Sequence, residues 1–425
     1  MTAELRTWGL DVTPPPFATT PGGYCLAVAE LLSYEEALAV VLAACRPVGV
    51  ERVALSAASG RVLAVAPEVT SPLPPFANSA MDGFALRAAD VPDGGGRLPL
   101  DPGVLAGTDP EPLRPGFAAP IATGGPIPAG ADTIVPIEEA TRDDGHVTLP
   151  GRLAPGAYVR LAGSDLRPGP SPLTPGVPLG PAAGAVLAAM GTVEVEVFRR
   201  PTLTVLATGS ELVPPHASPG PAQIRDANST ALAWAHSGAG ANVRQMGIAA
   251  DDPGALRLLL EAALSADVVV TCAGVSVGER DLVRSTLAEL GVEPRFWGID
   301  LKPGKPVAFG MAGEVPVIAL PGNPASALVC SALIAEPATR ARGGWSAPGP
   351  QWEHATAGEG WPAAEGRLHA VRCRLDTGPE GLVATPTGDQ RSHRIGSMIG
   401  ASALALVASG RLVQTGEGVR ITRMG

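Results

Sequence analysis

Aromatic side chains are scarce in this chain: Phe, Trp and Tyr make up 4% of its 425 residues. Its cores must therefore be packed mainly from small aliphatic side chains. Base is not in surplus either. The formal net charge of −10 excludes the broad basic footprint that duplex nucleic acid demands, so any anion has to be held by a local cluster of cations. The cysteines, Cys25, Cys45, Cys272, Cys330 and Cys373, are odd in number and form no C-x-x-C pair. Reduced thiols in a cytoplasmic protein are expected, and a zinc site is not. No apolar run is long enough to cross a bilayer. The opening MTAELRTWGLDVTPPP mixes charges with prolines, unlike a secretory signal. A soluble protein that partners neither membrane nor nucleic acid is the expectation.

Gly (53) and Pro (45) are abundant, the punctuation of a turn-rich globular chain. The length predicts several domains, and residues 1–25 read as a leader. The segment SYEEALAVVLAAC opens with a capping box of Ser33 and Glu36, which predicts a helix closed by Pro47. Short apolar runs broken by Gly and Pro predict a β-rich lobe over 70–155. Residues 26–69 and 156–199 are expected to pair as one discontinuous, elongated linker or dimerisation domain, the early helix meeting the helix GPAAGAVLAAMG and the strand VEVEVF. From 200 to 344 strand and helix alternate with short connections, which predicts an α/β domain on a parallel sheet covered on both faces. Within it, Asn228 is expected to cap the helix NSTALAWAHSG. Residues 345–425 alternate in the β manner and predict a small, barrel-like all-β domain. The expected fold class is α/β, multidomain and elongated.

In an open parallel sheet, ligands bind outside the carboxyl ends of the strands. The loops at those ends are TGSE, with Thr208, Gly209 and Glu211; AADD, with Asp251; AGVSVGERD, with Gly274, Ser276, Gly278 and Asp281; KPGKP, with Lys302, Lys305 and Pro306; and PGNPAS, with Pro321, Gly322, Asn323, Pro324 and Ser326. Each alone reads as well as a turn or a helix cap. Their convergence on one end of one sheet points to an oxyanion beside a hard metal ion. Glu211, Asp226, Asp251 and Asp281 are the candidate acids for magnesium, which prefers carboxylate and phosphate oxygens. Lys302 and Lys305 stand on a proline-stiffened corner suited to clamping an anion. Each charge pair at about 4 Å gains roughly 4 kcal/mol at an effective dielectric near 20, before desolvation removes much of it. A second pair of turns, ANSAMDG with Asp82 and ATGGPIPAGAD with Thr123, falls in the β-rich lobe. A site that includes them lies between domains or between subunits. No Ser-His or Cys-His pair occurs among these loops, so electrostatic and positional catalysis is expected rather than a covalent intermediate.

In their order along the chain, SAMDGFAL, ATGGPIPAGAD, LATGSEL, IRDANS, GVSVGERD, LKPGKPVAFG and LPGNPAS resemble the molybdopterin molybdenumtransferases, the MoeA-type family related to the C-terminal domain of gephyrin. The resemblance implies a four-domain homodimer with a central molybdopterin-binding sheet domain. Its reaction converts adenylylated molybdopterin and molybdate into molybdenum cofactor, releasing AMP with the help of magnesium. By motif, it implies that Lys302, Lys305, Ser276 and Ser326 hold molybdate or the terminal phosphate, joined by Arg367 of EGRLHAVR and Ser392 of GDQRSH. It gives Asp281 and Glu211 to the metal or the pterin and Asp226 to the nucleotide side, and it brings Asp82 in from the partner subunit. Ala273 stands where the family has glycine, Gly125 where it has alanine, and GRLHAVR lacks the aromatic usual in that segment. Molybdopterin adenylyltransferase and acceptor molybdoenzymes are the implied partners. Two other readings keep the central fold. One is an adenylyltransferase, against which the flanking domains and SAMDG count. The other is a non-catalytic scaffold or sequestering homologue, against which Asp82, Asp281, Lys302 and Lys305 count.

Overall fold

The computed structural model describes residues 31–105, 107–151, 153–273, 282–363 and 365–424. Gly274, Ser276, Gly278 and Asp281 therefore lie outside the described residues.

The first helix runs Tyr34–Ala44, and its capping box forms: Ser33 Oγ accepts from Glu36 N at 3.2 Å and the Glu36 carboxylate accepts from Ser33 N at 2.9 Å. It buries Tyr34, Leu38, Val41 and Leu42 in the main core of the chain, beside Leu333, Ala338 and the central sheet. The expected pairing with residues 156–199 is not what is seen. The helix Pro181–Ala189 buries one side chain, Leu187, too little apolar surface to cover a helix hidden over most of its circumference. What that segment does receive is the next strand, Val50–Ala54, antiparallel to Glu194–Phe198 over a small core of Leu63, Leu179, Leu187, Val195 and Val197.

Residues 78–149 carry two three-stranded antiparallel sheets. Gly83–Leu86 runs between Ala118–Ile121 and Thr133–Pro136, and His146–Leu149 between Gly96–Pro99 and Thr141–Asp143. Gly83 is required where it stands, because a Cβ there would run into the Val135 carbonyl.

The central sheet has six strands in the order Asn242–Ala249, Thr202–Thr208, Val268–Cys272, Val315–Leu320, Ala308–Ala312, Glu293–Trp297. The first four are mutually parallel, and the last two add antiparallel. The sheet is thus mixed rather than parallel throughout. Only Gly313 and Glu314 link Ala312 to Val315, and a parallel crossover needs a dozen residues or more. Side chains alternate between two cores. Leu203, Val205, Val270 and Ile318 face the helices that include Leu232 and Leu333, while Leu206, Val269 and Val317 face Leu256, Leu260, Val283 and Leu287.

The strands after 350 close into a barrel: Leu368–Gly378 pairs with both Gly381–Pro386 and Ala403–Val407, and Trp352–Ala357 and Gly418–Arg423 complete the ring. Leu301–Lys302, from the central domain, pairs with Leu368–His369 at its margin. Among the described residues no helix is long and apolar enough to cross a membrane.

A buried polar chain joins the helix Asn228–Gly238 to the helix Glu336–Arg342. His236 Nδ1 lies 2.9 Å from Thr339 Oγ1 and Nε2 3.5 Å from Ser331 Oγ. Ser331 donates to Glu336 at 3.2 Å, and Arg340 donates to Glu336 at 3.2 Å. Burial, with the Arg340 charge second, pushes His236 from 6.5 down to about 3. The unfolded chain then binds a proton that the folded chain refuses, so stability falls as pH drops from 6.5 towards 3, by about 1.4 kcal/mol per pH unit from this group. Urea unfolding followed between these limits is expected to lose about that much slope in His236→Gln.

Candidate functional site

Each loop at the carboxyl ends of the parallel strands is held by its own device. Gly209 has φ +140°, and a Cβ on it would come within 2.5 Å of the Glu211 carboxylate, which folds back over the turn. Only glycine permits that approach. Ser210 N donates to Asp251 Oδ2 at 3.1 Å, and Asp251 N donates to Ser210 Oγ at 3.0 Å, so the two loops are tied reciprocally. Thr208 is buried and donates to the Cys272 carbonyl at 3.4 Å, linking neighbouring strands.

Asp226 is 7% exposed, and its Oδ1 accepts from Ser229 N at 3.0 Å. It thereby does the work expected of Asn228, whose Nδ2 instead donates to the Gly322 carbonyl at 2.8 Å. Cys272 Sγ donates to the Pro321 carbonyl at 3.4 Å. The Pro321–Pro324 corner is thus fixed from two sides before the helix Pro324–Cys330 begins, with Ser326 buried in its first turn.

The lysine corner is seated by its backbone. Leu301, Pro303 and Gly304 are buried, whereas Lys302 and Lys305 are exposed. Gly304 has φ +131° and rests on Cys330, whose thiol donates to the Gly304 carbonyl at 3.7 Å. A Cβ at 304 would collide with that sulfur. Lys302 is the strand neighbour of His369. Burial, then the charges of Lys302 and Arg372, push His369 down to about 4, so the imidazole is neutral at pH 7. Arg372 is fully buried, with Nη2 donating to the Asp389 carbonyl at 3.2 Å and with Nε and Nη1 without a partner among the described residues.

These loops enclose a cavity of about 950 Å³. Glu211, Asp226, Asn228, Arg225, Lys305, Pro306 and the corner Pro321–Pro324 line it, together with the aliphatic side chains of Leu31, Leu212 and Ile224. His393 reaches it from the barrel, whose Ser392 carbonyl accepts from Ala325 N at 3.2 Å. Acids and a cation across one space, with carbonyls and amides between them, suit a ligand that carries both phosphate oxygens and neutral polar edges.

Several expected residues stand apart from it. Asp251, Thr208, Lys302, Ser326, Arg367 and Ser392 are not among its lining residues. Asp251 is committed to Ser210, and Gly209 borders the adjoining cleft beside Ser210 and Asp226. Arg367 directly precedes the residue that pairs with Leu301. Asp82 and Thr123 meet each other in the β-rich lobe, where Thr123 N donates to Asp82 Oδ1 at 2.6 Å. That bond, then one from the Thr123 hydroxyl, holds the Asp82 carboxyl below the usual carboxylate range. Arg225, Asn228, Cys272, Trp297 and His393 line the cavity without having been expected there. Arg225 and Asn228 lie in the IRDANS motif and His393 ends GDQRSH, but Trp297 carried no motif signal of its own.

Comparison with known proteins follows the same division of the chain. Residues 32–191 match the MoeA N-terminal region (domain I and II), 204–341 a family described as "Probable molybdopterin binding domain", and 354–423 the MoeA C-terminal region (domain IV). A molybdopterin molybdenumtransferase of a Nostoc species is 37% identical over 303 residues, covering 69% of this chain and 70% of the relative. Molybdopterin molybdenumtransferase 1 of Mycobacterium tuberculosis is 34% identical over 418 residues, covering 91% of this chain and 97% of the relative. The crystal structure of a molybdopterin biosynthesis MoeA protein from Pyrococcus horikosii superposes with a TM-score of 0.77 at 31% identity, covering 93% of this chain and all of that one.

The seat of the lysine corner is directly testable. Gly304→Ala forces both a strained φ and a clash with Cys330, so it is expected to destabilise the protein by about 1–3 kcal/mol. Denaturant midpoints at constant slope check this, and Gly49→Ala, at φ +124° with nothing near its Cβ, controls for φ alone.

Proposed function

Because the chain belongs to the MoeA family of molybdopterin molybdenumtransferases, we propose that it inserts molybdate into adenylylated molybdopterin and releases AMP, as a step of molybdenum cofactor synthesis in the cytoplasm. The observation that carries this reading is the single cavity faced by Lys305, by the Glu211 and Asp226 carboxylates and by the Pro321–Pro324 corner.

In this reading Lys302 and Lys305 attract the tetrahedral oxyanion. Both ammonium groups are exposed, so their pull on a dianion is Coulombic and weakened by solvent, and the fixed backbone that carries them sets where it acts. The backbone burial of Pro303 and Gly304 keeps the corner's shape while both amines stay free to turn. Asn228 and the Pro321–Pro324 backbone orient the polar edges of the pterin or nucleotide. Magnesium fits the donor set. Glu211 and Asp226 both line the cavity, one Asp226 oxygen being taken by Ser229, and among the described residues no third metal-ligating side chain joins them. One or two carboxylates with substrate phosphates and retained waters are what this ion uses. When bound it supplies positive charge to the phosphate oxygens. Asp251 serves the loop rather than the ion in this assignment, while Asp281, Ser276, Gly274 and Gly278 keep their proposed roles on the motif alone.

We assign Asp82 and Thr123 to the partner subunit's cavity in a homodimer. Phe76, Met81 and Ile137, exposed by 37–55%, lie in the same lobe and give it apolar surface for a second copy to cover. The domain limits follow the same reading, except that the helix Tyr34–Ala44 packs on the central core: 26–69 with 156–199 for dimerisation, 70–155 as the lobe, 200–344 for molybdopterin and 345–425 as the barrel.

Purified protein given adenylylated molybdopterin, molybdate and magnesium is expected to release AMP well above a no-protein background. No release counts against the reading. Lys302→Ala is expected to raise the half-saturating molybdate concentration about tenfold, the equivalent of about 1.4 kcal/mol, while leaving the KM for the pterin substrate within about twofold. Equal effects on both would remove Lys302 from the oxyanion.

A further inference from the structure

We propose that His236 is a positioning residue for substrate binding: it fixes the register of the helix Asn228–Gly238, whose first residue lines the cavity, and so acts through Asn228. The inference rests on the function proposed above and adds to it a remote determinant of how the pterin substrate is held.

Two helical segments start at the cavity. Asn228 opens one and Pro324 the other, and both residues line the space. The second continues from Pro324–Cys330 through Ser331–Ala335 into Glu336–Arg342, and the helix Asn228–Gly238 packs against each part in turn. Beside the two starts, Asn228 Nδ2 donates to the Gly322 carbonyl at 2.8 Å. About 12 Å further along the axis, the imidazole of His236, fully buried, has Nδ1 2.9 Å from Thr339 Oγ1. Thr339 Oγ1 gives its own proton to the Ala335 carbonyl at 3.0 Å. It therefore accepts from Nδ1–H, which sets the tautomer and the direction of the ring.

Between these two anchors little else locates the helix. Its buried side chains are Ser229, Leu232, Ala233 and His236, one stripe at helical spacing with a single branched aliphatic. Small apolar contacts are non-directional and permit sliding; hydrogen bonds do not. A buried polar group stabilises a core less than an apolar one of like volume, and its best-attested use is to select one register. The facing segment is shaped to match. Ser331–Ala335 is a π-turn, with Glu336 N donating to the Ser331 carbonyl, a distortion frequently kept at functional sites. It brings Ser331 Oγ to 3.5 Å from His236 Nε2 and 3.2 Å from the Glu336 carboxylate. Two anchors fix the helix axis, whereas one leaves it to pivot about Asn228. A pivot disturbs Asn228 where it meets the substrate. The lysine corner, held by its own pairing with Leu368–His369, is left in place.

The test uses the full-length wild type, His236→Leu, His236→Asn, Asn228→Ala and the double variant His236→Leu/Asn228→Ala. Asparagine places an amide donor where Nδ1 stands, and leucine does not. His236→Leu is expected to raise the KM for adenylylated molybdopterin about fivefold, the order of one lost hydrogen bond. Its kcat and molybdate requirement should stay within about twofold of wild type, and His236→Asn should recover most of the loss. In the Asn228→Ala background, His236→Leu is expected to add less than about twofold, because the group it acts through is gone. A folded His236→Leu with an unchanged KM overturns the proposal. So do equal rises in KM and molybdate requirement, no recovery in His236→Asn, or full additivity in the double variant. Should His236→Leu fail to fold, Thr339→Val removes the same bond at near-constant volume and is read by the same criteria. Calorimetric titration with adenylylated molybdopterin separates this proposal from the reaction itself. A wild type that binds the compound but releases no AMP sinks the reaction, and the same comparison of variants is then read in Kd. A wild type that does not bind it overturns both.

Discussion

A very short piece of backbone pairing, Leu301 with Leu368 and Lys302 with His369, joins the α/β domain to the barrel at the point where the cations are carried. Everything distinctive about the lysine corner depends on it. The pairing anchors the incoming chain and Cys330 supports the turn at Gly304. Val307 then returns at once to the buried core. Two ammonium groups can therefore project from a segment whose backbone is otherwise interior. In a chain with a net charge of −10, such an anchored pair is the physical alternative to a basic surface: the field is local, and its reach is set by the screening length of the medium, about 8–10 Å at physiological salt.

The acids around the cavity divide their labour in a way that composition does not disclose. Asp226 gives one oxygen to a helix terminus and still faces the cavity, and Asp251 spends its carboxylate on Ser210. Glu211 is folded over Gly209 and lines the open space. Loop fixation and ligand contact are thus carried by neighbouring residues of one chemical type. The Pro321–Pro324 corner is similar, held from below by Cys272 and from the side by Asn228, so that its backbone can present itself to a ligand without sagging into the core.

What could be read in the residues, and what could not, follows from how local each determinant is. The Ser33–Glu36 box and the apolar strands of a sheet covered on both faces are local signals, and they are present as expected. The antiparallel edge is not a local signal, because strands buried on both faces look alike whichever way they run, and only the two-residue link at Gly313 betrays it. The partner of the first helix was equally hidden: periodicity shows that Tyr34–Ala44 has an apolar face but not which core receives it. Asn228 was mistaken for a cap because Asp226, two positions earlier, competes for the same amide and wins. The loops of the cavity were legible as a set, since their glycines, prolines and acids all follow strands. Trp297 and His393 were not, because one belongs to a strand end and the other to a distant barrel loop, and only tertiary folding makes them neighbours.

Cys272 gives this arrangement a chemical consequence. It is among the lining residues although its side chain is buried, and burial, with the Asp226 charge second, pushes its thiol up to about 12. At neutral pH the sulfur is therefore held as the neutral thiol. A soft thiolate in that position would compete as a ligand for any transition metal brought into the space. Protonated, the same sulfur stays a donor to the Pro321 carbonyl and is spent on the corner instead of on a metal.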